Sequence, residues 1–363
     1  MTELLSTART ALRHYRELEG VALSPFWDHP ALVSPLGDGL INDTFLVEVP
    51  HNQESYRAVL QRVNPLFGIA VHQDIEAITR HLQRRGLVTP VLLRTSDDQL
   101  AVNLDEAGVW RVLRFIPGQT FAKMTPQLAA PAASLVARFH AAVSDLDHRF
   151  HFVRSGAHDF AKHINHLHAA VAKANEQTAI PDGFLALADS ICALADQIPI
   201  KVPGPLRICH GDLKLSNLRF DDHGQGLCLL DLDTLAHLQL GHELGDALRS
   251  WCNPLGEDRT DAYFDLGLLH AAMAGYASAA KSFITVEERE FLITAALRIT
   301  VQLAARFAAD IIYQSYFRYD PSRFPSRAAH NQVRAHGQLA LAHSIVQQRR
   351  QAESLVTSAF AAA

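Results

Sequence analysis

Residues 207–234 read RICHGDLKLSNLRFDDHGQGLCLLDLDT. A short apolar piece around Leu206 and Ile208 delivers His210-Gly211-Asp212 into a loop, and Asn217 follows five residues after Asp212. A second apolar piece (Leu218, Phe220) runs into the turn Asp221-Asp222-His223-Gly224, and a third (Leu227 to Leu230) ends in Asp231-Leu232-Asp233. Phosphoryl transfer asks for few protein groups, because its chemistry lies in positioning and charge neutralisation. One carboxylate orients the attacking hydroxyl and accepts its proton. Another holds a divalent cation against the phosphate oxygens, and a neutral amide completes a shell of hard oxygen donors. Asp212, Asn217 and Asp231 fit those three tasks in order. A lone D-x-D is usually a turn or a cap, and a lone H-G-D is weak; the two at this spacing carry the reading.

Upstream of this stretch, residues 1–20 read as a helix. The runs 31–36 (ALVSPL), 44–49 (TFLVEV) and 56–63 (YRAVLQRV) are short, apolar and separated by Gly, Asp, Asn and Pro, the pattern of antiparallel strands. Residues 72–86 read as a helix stopped at Gly86, and 99–103 and 109–116 as two more strands joined by the turn DEAG. After Pro117-Gly118 the texture turns helical: 126–144, 158–176, 183–197, and most of the chain from 242 on. The expectation is an α+β fold with 1–117 as an antiparallel-sheet lobe carrying one inserted helix, and 118–363 as a mainly helical lobe.

The 363 residues are 48% hydrophobic and 20% charged, a globular balance with room for a large core. A net charge of −5 gives no basic face for nucleic acid. Cys192, Cys209, Cys228 and Cys252 form no C-x-x-C pair, which points to a reducing, cytoplasmic setting. No apolar run approaches the ~20 residues of a membrane span, so no membrane partner is expected. His163, His166 and His168 lack metal-ligand spacing with a second cluster and read as surface or packing residues.

H-G-D-x4-N followed by an apolar strand ending in D-x-D resembles the aminoglycoside phosphotransferase and choline kinase family, relatives of the protein kinases. The resemblance implies a bilobal protein-kinase-like fold and ATP with Mg2+ as cofactors. It also implies Asp212 as catalytic base, Asn217 and Asp231 as metal ligands, and His210 as a structural member of the loop. Three further stretches, Gly39–Phe45 (GLINDTF), Leu60–Asn64 (LQRVN) and Gly245–Asn253 (GDALRSWCN), resemble the N-acetylhexosamine 1-kinase branch, as does the stretch Asn331 to Arg334. Members of that branch phosphorylate the anomeric hydroxyl of an N-acetylhexosamine.

In a strand–loop–strand nucleotide site, Gly37–Thr44 is the Gly-rich hairpin, with Gly39, Asn42 and Thr44 at the phosphates, though Asp38-Gly39 is also a common hairpin turn. Where protein kinases place a Lys on the third strand, this chain has Gln61-Arg62. Either can face the phosphates, and strand parity decides. Glu76 is the matching ion-pair candidate or a solvated helix acid. Phe115 and Ile116 fall at the hinge that binds adenine.

From residue 241 onward the chain carries 12 acidic and 12 basic side chains. This balance suits a neutral amino sugar, a small-molecule substrate, better than a polycation. Asp233, Asp246, Arg249 and Tyr316 are its candidate contacts, with Tyr313 beside them; a structural ion pair for Asp246–Arg249 and helix packing for each Tyr are the competing roles. The alternatives in function are an amino alcohol, aminoglycoside or other sugar as acceptor, or a nucleotide-binding scaffold without catalysis.

Overall fold

The computed structural model describes residues 2–23, 32–37, 41–51, 54–154, 156–176, 180–280 and 283–363. Gly39, expected at the phosphates, lies outside the described residues. The chain divides into two compact units: Met1–Gly118 with Asp145–Arg154 and Cys228–Leu235, and Gln119–Ser144 with Ser155–Leu227 and Ala236–Ala363. The units therefore interleave along the chain, where the sequence suggested one cut near Gly118.

The first unit opens with α1 (Thr2–Leu12), shorter than the expected helix over 1–20. The chain then turns through β1 (Glu17–Leu18) and β2 (Val21–Ala22), an antiparallel pair. Glu19 and Gly20 between them both have positive φ (51° and 83°), the conformation of a tight hairpin turn. There follow β3 (Val33–Pro35), β4 (Asp43–His51), β5 (Glu54–Arg62), α2 (Val71–Arg84), β6 (Leu92–Leu93), β7 (Val102–Asn103) and β8 (Val109–Arg114). The sheet order is β3-β4-β5-β8-β6, with β7 also paired to β8 and every pairing antiparallel.

Alternation along the strands separates two faces. Phe45, Val47 and Val49 of β4, Leu60 of β5, and Trp110 and Val112 of β8 are buried in one cluster with Ala8, Ala11 and Leu12 of α1. Each of the Val, Leu and Phe side chains in it contributes roughly 1.5–3 kcal/mol of burial. Helix α2 buries Val71, Ile75, Ile78 and Leu82, one stripe at helical spacing. Its buried Asp74 accepts the backbone N–H groups of His151 (2.9 Å) and Phe152 (3.0 Å) and pairs with His148 Nε2 (2.8 Å), which ties the 145–154 segment to this unit.

The second unit carries α3 (Pro126–Val143), α4 (Phe160–Asn175), α5 (Phe184–Ala195), β9 (Arg207–Cys209) and β10 (Leu218–Phe220). The turn after β10 closes with the Asp221 N–H on the Gln225 carbonyl (3.0 Å), and β11 (Gly226–Leu229) carries the chain back into the first unit. Then come β12 (Ala236–Leu238), paired with β9, and α6 (Leu240–Trp251), α7 (Leu266–Ala280), α8 (Val286–Tyr313) and α9 (Arg327–Ala362). Helix α8 is the axis of the unit. It is long and apolar enough to pass for a membrane span, but 89% of its most apolar window is buried among its neighbours, as in the core helix of a globular unit. Gly245 lets α6 approach it: a Cβ there would lie 2.8 Å from the Ala295 carbonyl. The four cysteines are free.

Candidate active site

Strand β9 ends at Cys209 and releases His210-Gly211-Asp212. Gly211 has φ of 83°, in the left-handed region that disfavours any side chain. The loop is held from beneath by Glu243 of α6, whose two carboxylate oxygens accept the N–H groups of His210 (2.7 Å) and Gly211 (2.8 Å). Glu243 also pairs with His140 of α3 (3.2 Å), and His140 reaches the Tyr276 hydroxyl (2.9 Å). Burial opposes the Glu243 charge, but the hydrogen bond and charge of His140 and the loop N–H donors hold its pKa below the usual carboxylate value. The Trp251 indole donates to the Leu213 carbonyl (2.7 Å) and fixes the far side of the loop.

On this support Asp212 keeps its side chain 25% exposed. The Asn217 amide, in a 3-10 turn over Leu215–Asn217, donates to the Asp212 carbonyl (2.9 Å) and carboxylate (3.0 Å). Lys214 adds an ion pair at 3.0 Å. Two of the three residues singled out by spacing therefore share one corner. Glu243, His140 and Lys214 were not singled out. Lys214 stands two residues from Asp212, whereas nothing in the local pattern marks His140 or Glu243.

Asp246 and Arg249 sit on the same face of α6 and bond each other, Arg249 Nε and Nη2 reaching Asp246 at 3.1 and 3.0 Å. Arg249 also holds Glu257 (2.7 Å) and is buried; burial works against its charge, which these two acids outweigh. Its guanidinium is thus committed to an internal clamp rather than open to a substrate. Burial raises the pKa of Asp246, Arg249 opposes this, and the charge of Asp212 adds to the rise, which places the two aspartates within electrostatic reach of each other. Tyr316 is 55% exposed, with its ring against Phe317 and under Arg306. Its backbone N–H, with those of Ser315 and Phe317, is held by buried Asp310, which also accepts from Asn331. Tyr313 is a packing residue stacked on His166.

In the first unit, register settles the parity. Thr44, Gln61 and Arg111 are paired across β4, β5 and β8 and share one face, opposite the Phe45–Leu60–Val112 core. The Gln61 amide donates to Thr44 (3.2 Å) and its oxygen accepts from Arg111 (2.8 and 3.0 Å). Arg62 lies on the other face, paired with Asp43 (2.6 Å). The buried cation on the Gln61 face is Arg111, from the neighbouring strand. It grips Asp233 with two hydrogen bonds (2.5 and 2.8 Å), and Asn42 donates to the same carboxylate (2.7 Å). Burial would raise the Asp233 pKa; Arg111 and Asn42 bring it below the usual value. Asp233, expected at a substrate, is instead fully buried in an ion pair. Asn42, expected at the phosphates, spends its side chain on Asp233 and on the Asn64 N–H (2.9 Å).

Asp231 follows β11 in the left-handed conformation (φ 59°, ψ 60°), which is uncommon outside glycine, Asn and Asp. Glu76 pairs with Arg80 (2.7 Å) and Arg94 (2.8 Å), not with Arg62. Phe115 lies under Arg57, 4.5 Å from its guanidinium, and Ile116 is buried just before Pro117. The Asp212 carboxylate and the Asn217 amide oxygen of the second unit are hard donors of the type a magnesium-sized cation takes, and the Asp231 carboxylate of the first unit is a donor of the same type.

Residues 32–281 match the family model described as a phosphotransferase enzyme family. An aminoglycoside phosphotransferase from Alicyclobacillus acidocaldarius superposes with TM-score 0.63 at 18% identity, covering 94% of this chain and 96% of that one. A microcompartment-associated aminopropanol kinase gives 0.60 at 15% identity, covering 97% and 99%. An amicoumacin kinase in complex with AMP-PNP and Ca2+ gives 0.57 at 12% identity, covering 97% and 93%. The shared fold is the kinase-like α+β one expected from the sequence, a small antiparallel sheet with one inserted helix and a large helical part.

Proposed function

The chain belongs to the phosphotransferase enzyme family, and from that premise we propose that it moves the γ-phosphoryl group of ATP to a sugar hydroxyl, the anomeric hydroxyl of an N-acetylhexosamine. Asp212 is the base: it orients the acceptor hydroxyl and takes its proton as the new P–O bond forms. The observation that carries this role is the clamped loop, in which Glu243, Trp251 and Asn217 hold Asp212 from three sides while leaving its carboxylate partly exposed. Asn217 and Asp231 are the residues that would hold Mg2+, and the cation would supply neutralisation of charge on the phosphate oxygens. Gln61 and Thr44 supply hydrogen bonds on the nucleotide side, Phe115 and Ile116 the adenine hinge. Balanced charge beyond residue 241 and the exposed Tyr316 ring support a neutral sugar as acceptor.

A second reading, an amino alcohol or aminoglycoside as acceptor, draws support from the mutual field of Asp212 and Asp246, which favours an ammonium group. An assay of ADP release with N-acetylglucosamine, N-acetylgalactosamine, 1-amino-2-propanol, choline and kanamycin separates the two. Turnover confined to the N-acetylhexosamines supports the first reading, and turnover confined to the amines replaces it with the second. Asp212→Asn is expected to cut the rate by about 10²–10⁴-fold with ATP binding retained. A near-normal rate would remove Asp212 from the base role.

A further inference from the structure

A cavity of about 370 Å³ in the helical unit has no part in the proposed chemistry. It opens at the N-terminal ends of two helices: Asp159, Phe160 and Ala161 bring the start of α4 to it, and Gln239 and His242 the start of α6. Helix N-termini present unpaired N–H groups and the positive end of the macrodipole, the arrangement that binds anions. The α4 start is partly served already, because Asp159 accepts the Lys162 N–H (2.9 Å). The α6 start has no side-chain cap.

Two buried side chains in the lining are left with unsatisfied polar atoms. His242 is 9% exposed, and its Nδ1 finds no hydrogen-bond partner among the described residues. Arg298 of α8 is 5% exposed; its Nη1 donates to the Pro199 carbonyl (2.6 Å) and its guanidinium lies over the Phe160 ring, yet its Nε has no hydrogen-bond partner among the described residues. Buried polar groups are nearly always satisfied, so two orphans in one polar cavity point to something that completes them. Two cations, Lys201 exposed on the rim and Arg298, stand against one carboxylate among the described lining residues, Asp159, whose Oδ1 caps α4 and whose charge acts on Arg298; His158 lies 5.2 Å from His242 ring to ring. Burial, with His158 and Arg298 nearby, keeps His242 neutral with a pKa of about 3, so its ring can serve as a neutral N–H donor.

We infer that this cavity binds a small oxyanion, a phosphate or carboxylate group, between the starts of α4 and α6, with Arg298 Nε and His242 Nδ1 as its side-chain donors. The site stands apart from the acceptor reading, because no step of the transfer uses it. It is nevertheless close to Asp246, one turn along α6 from His242, and the charge of His158 acts on Asp246. The anion can therefore be free phosphate or an acidic group carried by a small molecule that also reaches the acceptor side.

Titration calorimetry with inorganic phosphate, on full-length protein saturated with AMP-PNP and Mg2+ to occlude the nucleotide site, tests this without needing turnover. One phosphate per chain is expected, weakened about tenfold or more in Arg298→Met and in His242→Phe, the loss typical of a charge-assisted hydrogen bond. Lys201→Glu, a rim change that leaves the core untouched, is expected to weaken binding as well and keeps the test valid if Arg298→Met fails to fold. N-acetylglucosamine 6-phosphate in place of phosphate distinguishes the sources: much tighter binding assigns the site to an acid on a larger molecule, equal binding to the free ion. No phosphate binding at millimolar concentration, or equal affinity in wild type and all variants, overturns the inference.

Discussion

The Glu243 carboxylate lies 2.7 Å from the backbone nitrogen of His210, a hydrogen bond that spans 33 residues of sequence and sets the height of the loop bearing Asp212. The same side chain accepts from Gly211 and pairs with His140, so it is satisfied by three donors although buried. Glu243→Gln turns one acceptor oxygen into a donor facing an N–H. Breaking a buried charged network of this kind costs about 3–5 kcal/mol. Urea unfolding should show a loss of that order, and turnover of the folded fraction should fall as Asp212 shifts. Wild-type stability and rate in Glu243→Gln would show that the loop holds its shape without the clamp.

Arg111 and Asp233 form a buried bidentate pair tied into Gln61 and Asn42. Arg111→Met leaves Asp233 buried without its cation, and Asp233→Asn leaves Arg111 without its anion, so each single change is expected to cost about 3–5 kcal/mol. Removing both costs less than the sum, because neither change then strands a charge. A double-mutant cycle read by urea unfolding checks this. Additive losses would mean that the two residues act independently.

Much of this was open to a reader of the chain alone, for definite physical reasons. The alternation Phe45-Val47-Val49 marks a strand with one buried face, and the H-G-D and D-x-D spacing marks loop and strand end. Gln61 and Arg62 could not be told apart until the β4–β5–β8 register was known, because one residue of slip exchanges the faces. Arg111 sits between Trp110 and Val112, both in the core, so it reads as an ordinary strand residue until Asp233 is placed beside it. Glu243 reaches His140 across 103 positions, and no local pattern reports such a contact. The helix expected over 1–20 ends at Leu12, and the residues after it pair Glu17–Leu18 with Val21–Ala22 across the Glu19-Gly20 turn, in strands too short for a local pattern to mark.

Asp231 holds a left-handed backbone that costs an L-residue about 1 kcal/mol or more and glycine almost nothing. Asp231→Gly relieves that backbone but gives up the contacts of the carboxylate, so thermal stability is expected to change little while turnover falls by orders of magnitude, with Asp231→Asn equally inactive. A clear drop in melting temperature for Asp231→Gly would show that the carboxylate, not the backbone geometry, dominates stability here.

His72 on α2 is buried, its Nδ1 2.8 Å from the Ile69 carbonyl, and burial together with the charge of Arg111 lowers its pKa to about 4 against 6.5 for an ordinary His. Between those values the unfolded chain binds a proton that the folded one refuses. Stability contributed by the neutral ring is therefore complete at pH 7 and falls as the solution is acidified through 6.5 towards 4. From pH 7 to pH 5 this one group is expected to remove about 2 kcal/mol. Lowered values at His163 (about 4) and His242 (about 3) add in the same direction. Asp233 and Glu243, also lowered, withdraw their share only below the usual carboxylate range. Urea unfolding of wild type and His72→Gln at pH 7 and pH 5 isolates the effect: the glutamine variant, which has no ring to protonate, should lose about 2 kcal/mol less over that interval. Equal slopes in the two proteins would mean that His72 protonates in the folded state as readily as in the unfolded one.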